Sequence, residues 1–244
     1  MSRLSSLFNK YKSVVVFDTE TTGFNPYKDQ IIELAAVRIE LNDAGLPYIS
    51  DSIDTFVLLP DGQTIPEKIV EITHITDDQL RAEGVPMATA AGVFKGMIRG
   101  KTLLVAHNAQ FDLGFIEATF KKVWQDSRVL DACDYLDSLT VYKDRRAYPH
   151  KLADAIEAYG LQDKVKNSHR AIDDVAALFE VLMAMDEERD DLADYINIFG
   201  YNPKYGVSGK EIKKVTYHAQ RYWDDMRTSD WILPAIVRRE RDNG

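Results

Sequence analysis

Residues 14–23 read Val14-Val15-Val16-Phe17-Asp18-Thr19-Glu20-Thr21-Thr22-Gly23. The first four are β-branched or aromatic, and a run that is apolar at every position is typical of a strand buried on both faces of a sheet. Side chains alternate along a strand, so Asp18 and Glu20 should point the same way. Two ionised carboxylates side by side at the end of a buried strand are costly unless a cation or a proton lies between them. On these residues alone, a plain polar strand end and a functional pair of acids remain equally open.

Composition sets broad limits on the function. The chain has 244 residues, of which 45% are apolar, enough for one large domain with an appendage or for two domains. The net charge of −9 argues against a protein that holds long duplex nucleic acid by charge alone. It allows an enzyme that holds a few nucleotides with the help of metal ions. The single cysteine excludes an intrachain disulfide, and no signal peptide or membrane span is evident, so we expect a soluble, cytoplasmic protein without a membrane partner.

The rest of the pattern predicts an α/β fold with a mixed sheet. Strands near 31–40 and 52–59 follow the first strand through turns, which predicts an antiparallel meander. Helices and buried strands then alternate. The predicted helices cover residues 66–72, 76–83, 87–97, 108–120, 133–142, 152–159 and 172–185. The predicted later strands cover 103–106 and begin again at 129–130.

The C-terminal part differs in charge from the rest. Residues 201–244 contain more Lys and Arg than Asp and Glu, whereas residues 1–200 are strongly acidic. The C-terminal part also holds several aromatic residues, including Trp223 and Trp231. We therefore expect one domain over 1–200 and a basic, aromatic appendage over 201–244. Two roles remain open for the appendage, packing against the core or holding single-stranded nucleic acid by stacking and charge.

Two further acids lie on the buried sides of predicted helices. Asp112 shares a helical stripe with apolar residues three, four and eight positions later. Asp174 has small or apolar residues three, four, seven and eight positions later, whereas Asp173 lies on a more polar stripe. We expect Asp174 to point inward and Asp173 to be solvated. An acid at a helix start can also have a purely structural role, a favourable interaction with the helix dipole, and for Asp112 that role stays open.

Together the chain offers four carboxylates at strand ends or helix starts, on Asp18, Glu20, Asp112 and Asp174, with His169 five residues before the last. An all-oxygen ligand set suits Mg²⁺ or Mn²⁺ rather than zinc. Two such ions about 4 Å apart can clamp the attacking and leaving oxygens of a phosphodiester. A neutral histidine beside them can take a proton from the attacking water.

The arrangement resembles that of the DnaQ-like 3′–5′ exonucleases of the DEDD group, histidine subtype. The resemblance rests on three ordered motifs, Phe17-Asp18-Thr19-Glu20-Thr21-Thr22-Gly23, Val105-Ala106-His107-Asn108-Ala109-Gln110-Phe111-Asp112, and His169 with Ala171 and Asp174. The tyrosine subtype would carry Tyr where this chain has Arg170. The similarity runs from about Ser13 to Leu182 and is greatest to the exonuclease domain of Gram-positive-type replicative polymerases and their stand-alone relatives. One departure is His74, where relatives commonly carry Gly.

The resemblance implies a ribonuclease H-like fold, a mixed sheet flanked by helices. It also implies two Mg²⁺ or Mn²⁺ ions held by Asp18, Glu20, Asp112 and Asp174, with His169 as the general base. The residues implied to line the terminal nucleotide are Thr21, Thr22, Gly23, Phe24, His107, Asn108 and Phe111. For the last three, structural roles stay open: a supporting histidine, a helix cap and a core residue.

The function expected from this resemblance is a metal-dependent 3′–5′ exonuclease that releases nucleoside 5′-monophosphates from single-stranded or frayed DNA. The expected partners are a single-stranded 3′ end, with DNA favoured over RNA, and a polymerase served in trans or a second copy of the chain. Two alternatives stay open. One is an exoribonuclease acting on short RNA or RNA 3′ ends, and the other is a nucleic-acid-binding module without activity.

Overall fold

A computed structural model describes residues 4–165 and 170–220 of the chain. His169, Trp223 and Trp231 lie outside these ranges. The strands in the described ranges are β1 (Ser13–Thr21), β2 (Ile31–Leu41), β3 (Pro47–Phe56), β4 (Thr102–Ala106), β5 (Asp134–Asp137), β6 (Ile198–Tyr201) and β7 (Thr216–Ala219). The α-helices there are α1 (Ser5–Phe8), α2 (Glu67–Thr73), α3 (Asp77–Glu83), α4 (Met87–Met97), α5 (Ala109–Trp124), α6 (Arg128–Asp131), α7 (Ser138–Arg145), α8 (Leu152–Ala158) and α9 (Ala171–Glu188), with a 3-10 turn at Leu192–Tyr195.

The main sheet has five strands in the order β3-β2-β1-β4-β5. Strands β1, β2 and β3 pair antiparallel, whereas β4 is parallel to both β1 and β5. The predicted meander followed by parallel strands is therefore confirmed, and so is the mixed α/β class. The strand that carries the two acids, β1, lies at the centre of this sheet.

Strand β1 separates two apolar layers, which explains its unbroken run of valines. Val14 and Val16 belong to one buried cluster, together with residues of α8 and α9. Val15 and Phe17 belong to the other, together with residues of α4 and α5. Because successive side chains of a strand point to opposite faces, a strand covered on both faces must be apolar at every position.

Most predicted helices are present, and one is confirmed down to its cap. Thr76 accepts a hydrogen bond from the backbone N–H of Gln79, and the Gln79 side chain accepts one from the Thr76 N–H, so a capping box begins α3 at the predicted residue. His74 ends α2 with a left-handed backbone, at a φ of 58°. This conformation favours glycine, which accounts for the residue expected there in relatives.

Three predicted boundaries are wrong. The third strand covers Pro47–Phe56 rather than 52–59. The apolar pair at 129–130 lies in the short helix α6, where Leu130 is buried, and the strand begins only at Asp134. The helix expected from 133 begins only at Ser138, because residues 134–137 form β5. An apolar pair is too short to reveal its period, so burial alone does not distinguish strand from helix.

The described part of the predicted appendage packs on the α5 side of the sheet. Strands β6 and β7 form a two-stranded parallel sheet. Val215 within the appendage is buried in the same apolar cluster as residues of α5, as is Phe199 just before the predicted boundary. Among the helices of residues 4–165 and 170–220, none combines the length and apolar character needed to cross a membrane.

Candidate metal centre

Strand β1 presents Asp18 and Glu20 on one face of the sheet. They continue the alternation of Val14 and Val16, whose side chains pack beneath α9. Helix α9 supplies Asp174 from its first turn on the same face. One ligand oxygen from each of the three acids lies within 4.8 Å of the other two. The strand period and the helix start therefore bring together three carboxylates that are far apart in sequence.

Asp173 is not part of this group, although it precedes Asp174 on the same helical turn. Asp174 is buried and lies among the apolar residues of α9, whereas Asp173 is only partly buried. Consecutive residues lie about 100° apart around a helix, and the buried stripe of α9 includes Asp174 but not Asp173. The structure thus places Asp174 inward, as the helical stripe predicts.

Asp112 approaches the end of β1 from the opposite face. It lies in the first turn of α5, and its Oδ1 accepts hydrogen bonds from the Thr19 N–H at 3.0 Å and from Thr19 Oγ1 at 2.6 Å. Thr19 has the side-chain parity of Phe17, whose face packs on α5. Asp112 therefore lies outside the group of three converging acids, but close enough to Asp18 to raise its pKa.

The acids at the end of β1 hold protons more tightly than free carboxylates. Burial, followed by the charges of Asp112, Glu20 and Asp174, raises the pKa of Asp18 well above its ordinary value. Burial and the neighbouring acids raise the pKa of Glu20 to about 8. Burial raises the pKa of Asp112 to about 7, against the opposing effect of its hydrogen bonds from Thr19. Such a cluster favours any species that supplies positive charge.

The donor set fits a hard divalent cation. Asp18, Glu20 and Asp174 offer only carboxylate oxygens, which Mg²⁺ and Mn²⁺ prefer and which suit zinc poorly. Ionised carboxylates this close together repel one another, and a cation between them removes that cost. These residues therefore form a candidate metal centre at the end of β1.

A protein-family model described as Exonuclease (RNase_T) matches residues 15–182, which include all of these acids. The chain belongs to this exonuclease family. The PolC-type DNA polymerase III of Clostridium perfringens is 33% identical over 208 residues, which cover 84% of this chain and 13% of that protein. The corresponding polymerase of Staphylococcus aureus is 32% identical over 185 residues, covering 75% and 12%. The chain thus spans only about an eighth of the length of these relatives.

Solved structures show the same fold. E. coli Exonuclease I in complex with a dT13 oligonucleotide aligns with a TM-score of 0.65 and 21% identity, over 75% of this chain and 43% of that one. The same enzyme in complex with a dA16 oligonucleotide aligns with a TM-score of 0.64 and 20% identity, over 75% and 42%. At this identity the likeness concerns the fold, and it confirms the predicted ribonuclease H-like class.

The exonuclease motif around β1 continues into a tight turn. Thr21 Oγ1 donates to the Gly23 carbonyl at 2.6 Å, and Thr22 Oγ1 accepts from the Gln30 N–H at 3.1 Å. A β-carbon on Gly23 would come within 2.5 Å of the Asp29 carboxylate, so the Asp29 side chain would have to move to admit one. Phe24 follows with 83% of its surface exposed. Among the residues predicted to line a nucleotide, Phe24 is the one that this turn presents to solvent.

The second exonuclease motif places its three predicted nucleotide-lining residues differently. His107 lies between Ser138 Oγ at 2.9 Å and the His150 carbonyl at 3.1 Å, so protein groups contact both of its ring nitrogens. Asn108 is exposed at the N-terminal end of α5 but makes no side-chain capping bond. Phe111 is partly buried, with its ring 6.4 Å from that of Phe24. Asn108 and Phe111 thus keep surface that no hydrogen bond to the protein occupies, whereas both ring nitrogens of His107 have protein partners.

A residue outside the predicted set caps the helix that carries Asp112. Asp137, at the end of β5, is 4% exposed and accepts hydrogen bonds from the N–H groups of Asn108 and Ala109 at 2.9 and 3.1 Å. It also accepts three bonds from Leu139 and Thr140 at the start of α7. One carboxylate thus ties both helix starts to the sheet. Asp137 directly precedes Ser138 at a helix start, and this position is the sequence signal that could have identified it as a cap.

A second missed residue, Glu33, anchors the helix that carries Asp174. Glu33 is fully buried on β2, in register with Glu20. It accepts hydrogen bonds from Arg170 Nε at 2.8 Å and from the Ala171 N–H at 3.0 Å. Burial and the neighbouring acids raise the pKa of Glu20, and the guanidinium of Arg170, which lies over the Phe56 ring, offsets part of that rise. Arg170 is the residue after His169 in the chain. By accepting bonds from Arg170 and Ala171, Glu33 holds the described part of the third motif in place.

Proposed function

We propose that this chain is a metal-dependent 3′–5′ exonuclease that hydrolyses phosphodiester bonds at the 3′ end of single-stranded or frayed DNA and releases nucleoside 5′-monophosphates. The observation that carries the proposal is the convergence of Asp18, Glu20 and Asp174 within 4.8 Å at the end of β1. Membership of the exonuclease family supports the reaction class.

Asp18, Glu20, Asp112 and Asp174 would hold two Mg²⁺ or Mn²⁺ ions. When bound, such ions lower the pKa of water and stabilise the charge that develops on the phosphate and on the leaving 3′ oxygen. The protein's part is to keep the carboxylates in place before substrate arrives, which the bonds from Thr19 to Asp112 and the fixed start of α9 support.

His169 would act as the general base that takes the proton from the attacking water. It stands one residue before Arg170 and five before Asp174, at the approach to α9. A neutral imidazole accepts a proton near physiological pH, which suits this task. Proton transfer to His169 would thus complete the histidine-subtype mechanism.

DNA is the proposed substrate class. The similar PolC-type proteins are DNA polymerases by name, and the aligned E. coli Exonuclease I structures contain DNA oligonucleotides. In this chain, the exposed Phe24 and the adjacent Phe111 would contact the terminal base, since aromatic rings stack on unpaired bases of any sequence. A polymerase would then be the partner whose errors the chain removes.

The test is digestion of a 5′-labelled single-stranded DNA oligonucleotide and a matched RNA oligonucleotide, with Mg²⁺, with Mn²⁺ and with EDTA. We expect a ladder of 3′-shortened DNA products that depends on metal. Asp174→Asn should slow cleavage roughly 10³-fold, since a bound metal contributes several kcal/mol to catalysis. Asp173→Asn, which removes the same charge one residue away, should retain activity.

Three results would contradict the proposal. Equal product ladders for Asp174→Asn and the unmodified protein would show that the acid cluster takes no part in the reaction. Cleavage in EDTA would remove the metal requirement. Faster digestion of RNA than of DNA would replace the proposed substrate with the ribonuclease alternative.

A further inference from the structure

A pocket of about 570 Å³ lies between the turn after β1 and helix α5. Three of its walls are the turn after β1, one face of α5, and the loop 208–213, and residues of α6 and β5 complete the lining. Aromatic side chains dominate the first two walls, namely Phe24, Tyr27, Phe111 and Phe115. The volume falls within the range of about 300–1,000 Å³ that is usual for small-ligand sites.

The third wall comes from outside the residues that match the exonuclease family, which end at 182. It is held against α5 by Gln110, whose Nε2 donates to the Lys210 carbonyl at 2.7 Å. Tyr217 donates to Gln110 Oε1 at 2.6 Å and accepts from the Ile212 N–H at 2.9 Å. These bonds fix the loop, so the pocket is a feature that the C-terminal part adds to the family fold.

Short stretches of chain connect the pocket lining to two of the acids. Phe24 lies four residues after Glu20, and Phe111 directly precedes Asp112. Phe24 and Tyr27 are 83% and 69% exposed, although large aromatic surfaces are usually covered in folded proteins. Their rings therefore offer exposed stacking surface on the turn that follows the strand of Asp18 and Glu20.

The charges around the pocket narrow the class of ligand. Lys210, Glu211 and Lys213 line it from the loop, and Glu117 and Asp131 line it from α5 and α6. Lys210 Nζ is 3.7 Å from Glu117 Oε1, so part of the positive charge is balanced within the protein. A lining of aromatic rings with both charge signs suits a neutral planar ring better than a free phosphate.

We propose that this pocket binds an unpaired nucleobase of the substrate strand, upstream of the 3′-terminal nucleotide. The base would stack against Tyr27, and Lys213 would approach the neighbouring backbone phosphate. The inference rests on the proposed exonuclease function and extends it, because it assigns the C-terminal loop 208–213 a part in holding the single strand.

The test is a binding assay with oligothymidylates whose 3′-terminal phosphodiester is replaced by a non-hydrolysable linkage. Single abasic residues are placed at each of the second to sixth positions from the 3′ end, and binding is followed by fluorescence anisotropy with Mg²⁺. One abasic position should weaken binding roughly 5- to 150-fold, the range that stacking of one base gives. Tyr27→Ala should weaken binding of the intact strand by a similar factor and remove the penalty at that position.

Tyr205→Ala is the matched control, because Tyr205 is 74% exposed but does not line the pocket. It should behave like the unmodified protein at every abasic position. The inference is overturned if no abasic position weakens binding specifically, as expected for a pocket that takes an apolar peptide. It is also overturned if Tyr27→Ala still shows the weaker binding at that abasic position, because the base would then bind elsewhere. Cleavage of an unmodified oligonucleotide by the unmodified protein tests the exonuclease function separately, so the two failures are distinguishable.

Discussion

Replacing Glu20 with glutamine should stabilise the metal-free protein, and the gain should grow with pH. Burial, followed by the charges of the neighbouring acids, raises the pKa of Glu20 from 4.5 to about 8 in the folded protein. Between these two values the folded protein binds more protons than the unfolded chain, so stability falls as the pH rises. The loss begins near pH 4.5 and levels off above about pH 8. Glutamine does not titrate, so the variant lacks this loss.

The size of the effect follows from the shift and from the spacing of the acids. A rise from 4.5 to about 8 corresponds to roughly 5 kcal/mol at most, at 1.36 kcal/mol per pKa unit. Coulomb's law with an effective dielectric constant near 20 gives roughly 3 kcal/mol for two charges 4.8 Å apart. Because neighbouring acids share protons and relieve part of the repulsion, we expect a gain of about 3 kcal/mol at pH 8.

The assay is urea and thermal unfolding in EDTA at several pH values between 4.5 and 9. At pH 8 the melting temperature of Glu20→Gln should exceed that of the unmodified protein by about 6–12 °C, at 2–4 °C per kcal/mol for a chain of this size. At pH 4.5 the two should nearly coincide. Added Mg²⁺ should stabilise the unmodified protein more at pH 8 than at pH 5, because metal and protons compete for the same oxygens.

Glu71→Gln provides the control, since Glu71 is exposed on α2 and distant in sequence from the acids. Its effect on the free energy of unfolding should be small, as for most exposed substitutions. A difference between Glu20→Gln and the unmodified protein that stays flat from pH 4.5 to 9 would refute the reasoning. Loss of stability at pH 8 would refute it as well.

Two further predictions concern residues at helix ends. His74→Gly should raise the free energy of unfolding by about 0.5–1 kcal/mol in chemical denaturation, because His74 adopts a φ of 58° that costs an L-residue roughly 1–2 kcal/mol; a destabilised variant would contradict this. Asp137→Ala should lower the free energy of unfolding by about 3–5 kcal/mol, since it leaves two helix starts without their acceptor. The same change at the exposed Asp131 should cost less than about 0.5 kcal/mol, and equal losses for the two would overturn the capping role.

Local periodicity was sufficient to predict which acids point inward. Alternation along a strand pairs Asp18 with Glu20, and the helical repeat separates Asp174 from Asp173. Both relations depend only on backbone geometry within one element, which sequence spacing fixes directly. The same reasoning placed Asp112 on the buried side of α5, where it is 3% exposed.

The supporting residues were not predictable in the same way. Asp137 reaches Asn108 because β5 lies beside β4 in the sheet, and Glu33 reaches Arg170 because α9 crosses β2. These contacts join residues far apart in the chain, and they depend on strand order and register. A buried acid within the apolar run of β2 was a visible anomaly, but the sequence does not name its partner.

The contrast between Glu33 and Glu20 shows what separates a structural acid from a metal-binding candidate at this site. The two are register partners on adjacent strands, and both are acids at the same end of the sheet. Glu33 is matched by donors from within the protein, the guanidinium of Arg170 and the N–H of Ala171. It therefore holds the start of α9, and with it Asp174, at a fixed place above β1. The oxygens of Glu20 converge instead with those of two other acids, so their charge calls for a cation from outside. The helix that docks on the sheet determines the role of each acid, because it brings donors to Glu33 and a further acid to Glu20. The strand sequences alone do not show where this helix lies.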